Sequence, residues 1–108
     1  MPGRLPGPVA TYLAAVKARD AELFVLCFAD DARVRDEGRD YWGIDAIRSW
    51  KRETETKYKY VIEPLTASVS GEIVKLHARL TGDFPGSPVE LNYTFTFAND
   101  KITSLEIQ

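Results

Sequence analysis

The sequence has very few of the residues that build disulfides and metal sites, and it has no long apolar run. Its 108 residues include one Cys and one His. A lone Cys cannot close an internal disulfide, and one Cys with one His is a poor basis for a zinc site, which usually needs four such ligands. No apolar run approaches the roughly 20 residues that cross a bilayer. We therefore predict no bound metal and no contact with a membrane.

An excess of positive charge is also missing. Lys and Arg number 14 against 16 Asp and Glu, for a net charge of −2. Without a basic stripe, nucleic acid is not expected as a partner. The opening residues, MPGRLPGP, lack the apolar centre of a signal peptide, so we expect a cytoplasmic protein. The length suits one domain, which we place at residues 8–108 after a flexible lead over residues 1–7.

Three helices are predicted in the first half of the chain. The first opens near Pro8 and carries one apolar stripe. Asp20 is the predicted N-cap of a second, shorter helix that ends at Asp30 and Asp31. A third helix follows Gly43, with Ile47, Trp50 and Thr54 on its packed face. Its remaining residues are expected in solvent: Arg48, Lys51, Arg52 and Glu55.

Strands are predicted for the rest of the chain. A short strand over residues 32–37 is followed by a turn over residues 38–40. The later runs, separated by Gly, Pro, Asn and Asp turn signals, are 58–69, 73–82, 89–98 and 101–107. Pro64 predicts an edge position or a bulge. Helices segregated from strands indicate an α+β fold, here a curved antiparallel sheet wrapped on three helices as a cone open at one end.

Strand alternation predicts which side chains face the interior of this cone. Val34 and Asp36 share one face of the short strand, so Asp36 should point inward beside an apolar neighbour. A carboxylate in that position lies at the mouth of a cavity, or it is costly. In the run over residues 73–82, His77 shares a face with Lys75 and Arg79, which predicts the outer face of the sheet.

These residues resemble the nuclear transport factor 2-like superfamily, and its SnoaL-like and ketosteroid isomerase-like members most closely. The matching positions are Tyr12, Asp20, Phe28-Ala29-Asp30-Asp31-Ala32, Asp36, Gly43, Ala46-Ile47 and Trp50. The tract from Gly82 to Val89 is also similar to that of many SnoaL-like proteins. The resemblance covers residues 8–108 and implies a cystatin-like cone. It also implies a homodimer formed through the outer sheet face.

The resemblance implies catalytic roles for three residues. Asp36 matches the base of the ketosteroid isomerases, and Tyr12 matches the tyrosine that donates to the dienolate oxygen; that enzyme is a worked example of pKa tuning. Where the family has a third residue, an Asp on a later strand, the nearest match here is Tyr93. No cofactor is needed for this proton transfer.

A flat apolar or carbonyl-containing molecule is the expected ligand, because aromatic residues cluster near the third helix and the strand ends. The predicted ligand-binding residues are Phe24, Phe28, Val34, Trp42, Trp50, Tyr58 and Phe84. Two other functions remain open from the sequence. One is a non-catalytic cone that binds an apolar ligand or mediates dimerisation. The other is an adaptor for a protein partner.

Overall fold

The protein is described from a computed structural model, which covers residues 7–108. Three helices pack on one face of a six-stranded, curved and unclosed sheet. In chain order the elements are α1 (Gly7–Ala18), α2 (Ala21–Val25), β1 (Phe28–Asp36), β2 (Arg39–Trp42), α3 (Gly43–Lys57), β3 (Tyr60–Ser70), β4 (Ile73–Gly82), β5 (Val89–Ala98) and β6 (Lys101–Ile107). The predicted α+β class is confirmed. The predicted lead at residues 1–7 lies outside the described residues, except for Gly7, which begins α1.

The sheet has the strand order β2-β1-β6-β5-β4-β3. Neighbouring strands are antiparallel except β1 and β6, which run parallel. This pairing places the first strand of the chain beside the last, and β1 is flanked by β2 on its other side, so it does not lie at the edge of the sheet. Pro64 lies in the edge strand β3, at a register shift between Pro64 and Thr66. Pro64, which has no backbone N–H, therefore lies at a position that is both on an edge strand and at a bulge.

The end of α2 differs from the sequence prediction. Asp20 caps the helix as expected, since its Oδ1 accepts hydrogen bonds from the amides of Glu22 and Leu23, both at 3.1 Å. The helix ends at Val25, however, and not at Asp30 and Asp31. Both aspartates instead lie in β1, which begins at Phe28 opposite Ile102. Pairing with β6, which is distant in sequence, decided this boundary.

A four-residue strand that was not predicted, β2, replaces part of the predicted turn at residues 38–40. Glu37 and Gly38 have φ values of +52° and +76°, and Asp36 pairs with Arg39. Two consecutive positive φ angles in a two-residue loop are the geometry of a type I′ hairpin turn. The turn is therefore Glu37-Gly38, and β2 begins at Arg39.

The core lies between the helices and the concave face of the sheet. The predicted alternation holds, since Ala32 and Val34 of β1 and Val74 and Leu76 of β4 are buried. Lys51 was expected in solvent. That expectation is wrong, because Lys51 is only 1% exposed. It follows Ile47 by four residues on α3, so helical spacing places it on the buried face.

Candidate functional site

Asp36 lies at the end of β1, partly buried on the same face as Val34. The indole Nε1–H of Trp50, on α3, donates a hydrogen bond to Asp36 Oδ2 at 3.2 Å. One residue therefore comes from the sheet and the other from the helix packed against it. The contact holds the carboxylate toward the interior that the helices and sheet enclose.

Burial raises the pKa of Asp36 above its ordinary value, and this is the largest effect on it. The hydrogen bond from Trp50 acts in the opposite direction and lowers the pKa. Trp50 thus has a polar role that its apolar ring did not suggest from sequence. A carboxylate with a raised pKa is a better proton acceptor, because its basicity lies closer to neutral pH.

Sheet register places Tyr93 in the same row as Asp36. Ile107 of β6 pairs with Asp36 on one side and with Tyr93 on the other. Directly paired residues project from the same face, and two strand spacings amount to about 10 Å. Asp36 and Tyr93 therefore face the same interior across one intervening strand.

Tyr12 reaches this interior from α1. Its ring centroid lies 6.3 Å from that of Tyr93 and 5.1 Å from that of Phe95. Tyr12 and Tyr93 are 2% and 3% exposed. Burial raises the pKa of both hydroxyls, and the charge of Asp36 raises them further. Both hydroxyls are therefore neutral at pH 7, and neither donates a hydrogen bond to another residue in 7–108.

Four of the predicted ligand-binding residues lie in the interior with Asp36. Phe24, Phe28, Val34 and Trp50 all belong to the buried core. Phe24 contacts Phe28 and Trp50, with ring centroids 5.2 and 5.9 Å apart. Tyr58 and Phe84 form a separate pair, 5.9 Å apart, where α3 ends and the β4–β5 connection begins. The predicted set is thus divided between two places.

Trp42 lies on the other face of the sheet. It pairs with Arg33, whose guanidinium lies 5.9 Å from the centre of the Trp42 ring, and it is 67% exposed. Its neighbour Tyr41 pairs with Val34 and lies 6.0 Å from Trp50. Tyr41 therefore occupies the interior position that the sequence suggested for Trp42. Alternation along β2 would have shown this, but β2 was not predicted.

Three residues form a second polar group in the interior, which we call the Lys51 cluster: Lys51, Glu55 and Tyr60. Lys51 Nζ lies 3.5 Å from the Tyr60 hydroxyl and 3.8 Å from Glu55 Oε2. Burial lowers the pKa of Lys51 to about 8. Burial also raises the pKa of Tyr60 to about 12, with further contributions from Glu55 and Asp36. Sequence reasoning assigned no site role to Lys51 or Glu55.

At least three cavities open on the described surface. The largest of these three, about 920 Å³, is a groove between α1 and β3, here called the α1–β3 groove. A second of about 510 Å³ lies beside α2, and a third of about 390 Å³ lies beside His77 and Asn92. Asp36 lines none of these three. Among residues 7–108, no group of three or more His, Cys, Asp or Glu side chains is arranged to hold a metal ion. No helix of this part of the chain is long and apolar enough to cross a membrane.

A SnoaL-like domain family model matches residues 9–105. The chain belongs to the SnoaL-like domain family. No match was found among curated proteins.

Solved structures agree with this assignment. A candidate polyketide cyclase from Sinorhizobium meliloti is 40% identical, with a TM-score of 0.93 over 96% of this chain and 95% of that one. A ketosteroid isomerase-like fold protein from Catenulispora acidiphila, solved with trimethylamine, is 21% identical, with a TM-score of 0.87 over 97% and 86%. A nuclear transport factor 2-like protein of unknown function from Cytophaga hutchinsonii is 14% identical, with a TM-score of 0.76 over 94% and 85%. The predicted superfamily is therefore confirmed.

Proposed function

We propose that this SnoaL-like protein binds a small carbonyl compound and transfers a proton next to the carbonyl group. The observation that carries the proposal is Asp36, an inward carboxylate with a raised pKa that faces two neutral tyrosine hydroxyls. The Sinorhizobium relative, described as a candidate polyketide cyclase, supports the same class of chemistry. Cyclisation of such compounds begins with removal of a proton beside a carbonyl.

In this proposal the Asp36 carboxylate accepts the proton from the carbon next to the carbonyl and becomes a carboxylic acid. The electron pair moves into an enolate, whose oxygen accepts hydrogen bonds from Tyr12 and Tyr93. Aligned donors in a dry site stabilise charge where it develops. Asp36 then returns its proton to the substrate, or to the product of ring closure, and the carboxylate is restored. No other group is consumed.

A β,γ-unsaturated ketone tests the proposal, because its conversion to the conjugated enone increases ultraviolet absorbance. We expect Asp36→Asn to lower the rate by about 100-fold or more, which is the usual contribution of a general base. Asp31→Asn is the matched control, since Asp31 is an exposed carboxylate on the same strand. If Asp36→Asn turns over as fast as the control, Asp36 is not the base.

A second candidate function is binding without catalysis. Two observations favour it: Asp36 lines none of the three cavities described, and Tyr12 is packed among aromatic rings. Titration of Asp36 by NMR distinguishes the two functions. A pKa well above the ordinary Asp value favours the base, whereas a value near about 3.9 favours binding alone.

We also propose a homodimer in the cytoplasm, formed through the outer face of the sheet. Ile73, Lys75 and His77 lie on this face, and Ile73 is 41% exposed. His77 contacts Asn92 Oδ1 at 2.8 Å and Glu90 Oε1 at 2.7 Å through its two ring nitrogens. Light scattering tests the assembly. We expect twice the chain mass, and we expect Ile73→Arg to lower it to one chain, whereas Lys17→Glu on α1 should leave it unchanged.

A further inference from the structure

Lys51 is enclosed almost completely by the fold and reaches no cavity itself. Its side chain is 2% exposed, and Nζ lies 5.1 Å from the centre of the Phe24 ring and 5.5 Å from that of Tyr60. Contacts of this kind stabilise a cation. Neither Lys51 nor its ion-pair partner Glu55 lines any of the three cavities described. An effect of Lys51 on a bound molecule must therefore pass through a neighbouring side chain.

Tyr60, which lines the α1–β3 groove, is such a neighbour, and the bond between the two residues has a fixed direction. Lys51 Nζ donates to the Tyr60 hydroxyl oxygen at 3.5 Å. An ammonium has three donors and no acceptor, so the Tyr60 hydrogen cannot point back at Nζ while Lys51 is charged. Glu55 Oε2 does not take this hydrogen either, because no described residue donates a hydrogen bond to that atom. The Tyr60 O–H is therefore left to donate elsewhere.

This hydroxyl belongs to the interior that contains Asp36. Tyr60 packs against the core from the concave face of β3, opposite Gly82 of β4. A Cβ at Gly82 would lie 2.7 Å from Cβ of Tyr60, so the absence of a side chain there leaves room for the tyrosine. After burial, Tyr60 is the largest contributor to the raised pKa of Tyr93, and it also raises the pKa of Tyr12. Charge effects fall off with distance, so the three hydroxyls lie near one another.

Loss of the Lys51 proton reverses the arrangement. A neutral amine has a lone pair, which accepts a hydrogen bond from the Tyr60 O–H and withdraws that donor from the interior. Burial lowers the pKa of Lys51 to about 8; of the charged groups that face it, Glu55 on α3 raises this pKa and Arg19, which follows α1, lowers it. Burial raises the pKa of Tyr60 to about 12, with contributions from Glu55 and Asp36, so the hydroxyl keeps its proton throughout. The direction of one O–H thus follows the charge of one buried amine.

We propose that Lys51 is a positioning residue for the proton transfer: its ammonium turns the Tyr60 O–H into the interior, where that hydroxyl is a third donor to the enolate oxygen. This inference rests on the proposed function and adds to it a control by pH. The enolate oxygen carries the developing charge, so a donor aligned on it lowers the barrier. When Lys51 is neutral this donor is lost, and the reaction keeps only the two tyrosines assigned above.

The pH dependence of turnover of the β,γ-unsaturated ketone tests this assignment. We expect the rate of the unaltered protein to fall with a midpoint near pH 8. Tyr60→Phe should be about tenfold slower at pH 7, which is the worth of one hydrogen bond to a charged oxygen, and it should show no such fall. The two proteins should therefore reach nearly the same rate at about pH 10. A residue that only supports the fold would not remove one limb of a pH profile.

A double variant separates the charge of Lys51 from its packing. Lys51→Met with Glu55→Gln removes both charges, so no unpaired ion is left buried, and we expect the fall near pH 8 to disappear. The matched control is Lys57→Met with Glu53→Gln. This pair lies on the same helix with the same spacing, and its side chains are 58% and 65% exposed. The control should keep the rate and the fall of the unaltered protein.

A measurement without substrate follows the hydroxyl directly. With carbon-13 at Cζ of tyrosine, the Tyr60 signal is the one that disappears in Tyr60→Phe. It should shift with a midpoint near pH 8 in the unaltered protein and stay constant in the double variant. This shift does not depend on Asp36 acting as the base. Failure of the proposed function is seen separately, as an Asp36→Asn variant that turns over as fast as its control.

Three results would overturn the inference. The first is a Tyr60 Cζ signal that does not change as Lys51 titrates. The second is a Tyr60→Phe variant that is as fast as the unaltered protein at pH 7. The third is an alkaline fall in rate that persists in Tyr60→Phe or in the double variant. Circular dichroism of each variant shows that the comparison is made between folded proteins.

Discussion

Asp36 and Lys51 are two titratable groups in one interior, and burial shifts their pKa values in opposite directions. It raises the pKa of the acid and lowers the pKa of the amine. The physical cause is the same for both, because removal from water disfavours whichever form carries the charge. The comparison shows how an enclosed site brings an acid and an amine toward titration near neutral pH.

The two groups differ in how they are partnered. Asp36 lies at a strand end and accepts one hydrogen bond from a neutral indole. Lys51 lies deeper and faces a carboxylate on its own helix, Glu55. Asp36 can lose its charge without leaving another ion unpaired. When Lys51 loses its charge, Glu55 is left without a cation. This difference predicts different responses to substitution.

The largest expected effect is a gain of stability at pH 7 in Lys51→Met. Burial lowers the pKa of Lys51 to about 8 even though Glu55 Oε2 lies 3.8 Å away, so the folded state favours an uncharged side chain at this position over an ammonium by about 3 kcal/mol. We expect the urea midpoint to rise in this variant. The double variant with Glu55→Gln should rise further, because the single variant leaves Glu55 buried without its cation. A lower midpoint for Lys51→Met than for the unaltered protein would show that the ion pair outweighs the burial of the amine.

The second effect is a rise in stability at alkaline pH. The pKa of Lys51 falls from 10.5 to about 8 on folding, so between these values the unfolded chain binds more protons than the folded one. Lys51 therefore contributes a rise in stability with pH, of about 2 kcal/mol between pH 8 and 10. The pKa of Cys27 rises on folding from 9.0 to about 11 because of burial, and this opposes the gain from about pH 9 and leaves a net rise of about 1 kcal/mol. Above about pH 10 the raised pKa values of Tyr12 and Tyr60 oppose further gain.

Denaturation at pH 8, 9 and 10 measures this rise. The double variant at positions 51 and 55 should lack the contribution of Lys51, and it should lose stability over this range through Cys27. A wild-type curve that falls as steeply as that of the double variant would mean that Lys51 titrates as an exposed lysine does.

A smaller effect is expected at Asp36. Its pKa is raised on folding, so the folded state holds the proton more tightly, and stability falls as pH rises through the folded pKa. Asp36→Asn removes this loss and keeps an oxygen for the Trp50 N–H. We expect a higher melting temperature at pH 7 than for Asp31→Asn, together with loss of proton transfer. A lower melting temperature would show that the carboxylate stabilises the fold.

The smallest effect concerns the hydrogen bond itself. Trp50 Nε1–H lowers the pKa of Asp36, so Trp50→Phe should raise that pKa further while keeping most of the packing. Carbon-13 NMR of the carboxyl group follows the titration. A pKa that falls in Trp50→Phe would show that the indole acts mainly by excluding water.

Much of the fold and part of the site follow from local patterns. Strand alternation was enough to turn Asp36 inward, and a helical stripe was enough to bury Tyr12. Lys51 was missed because its charge was given more weight than its position four residues after Ile47. Trp42 was grouped with the interior aromatics because strand β2, which sets its face, was not recognised.

The sequence by itself determined the helices, most strands, the α+β class and the direction in which Asp36 points. It did so through strand alternation, helix caps and turn residues. Only the tertiary structure decided which distant residues meet. The parallel pairing of β1 with β6 put Tyr93 in the row of Asp36, and the packing of α2 against α3 enclosed Lys51 beside Phe24, with Tyr60 of β3 at its other side. The reason is physical: periodicity fixes the face of an element, whereas burial and pKa depend on the neighbours that folding brings to that face.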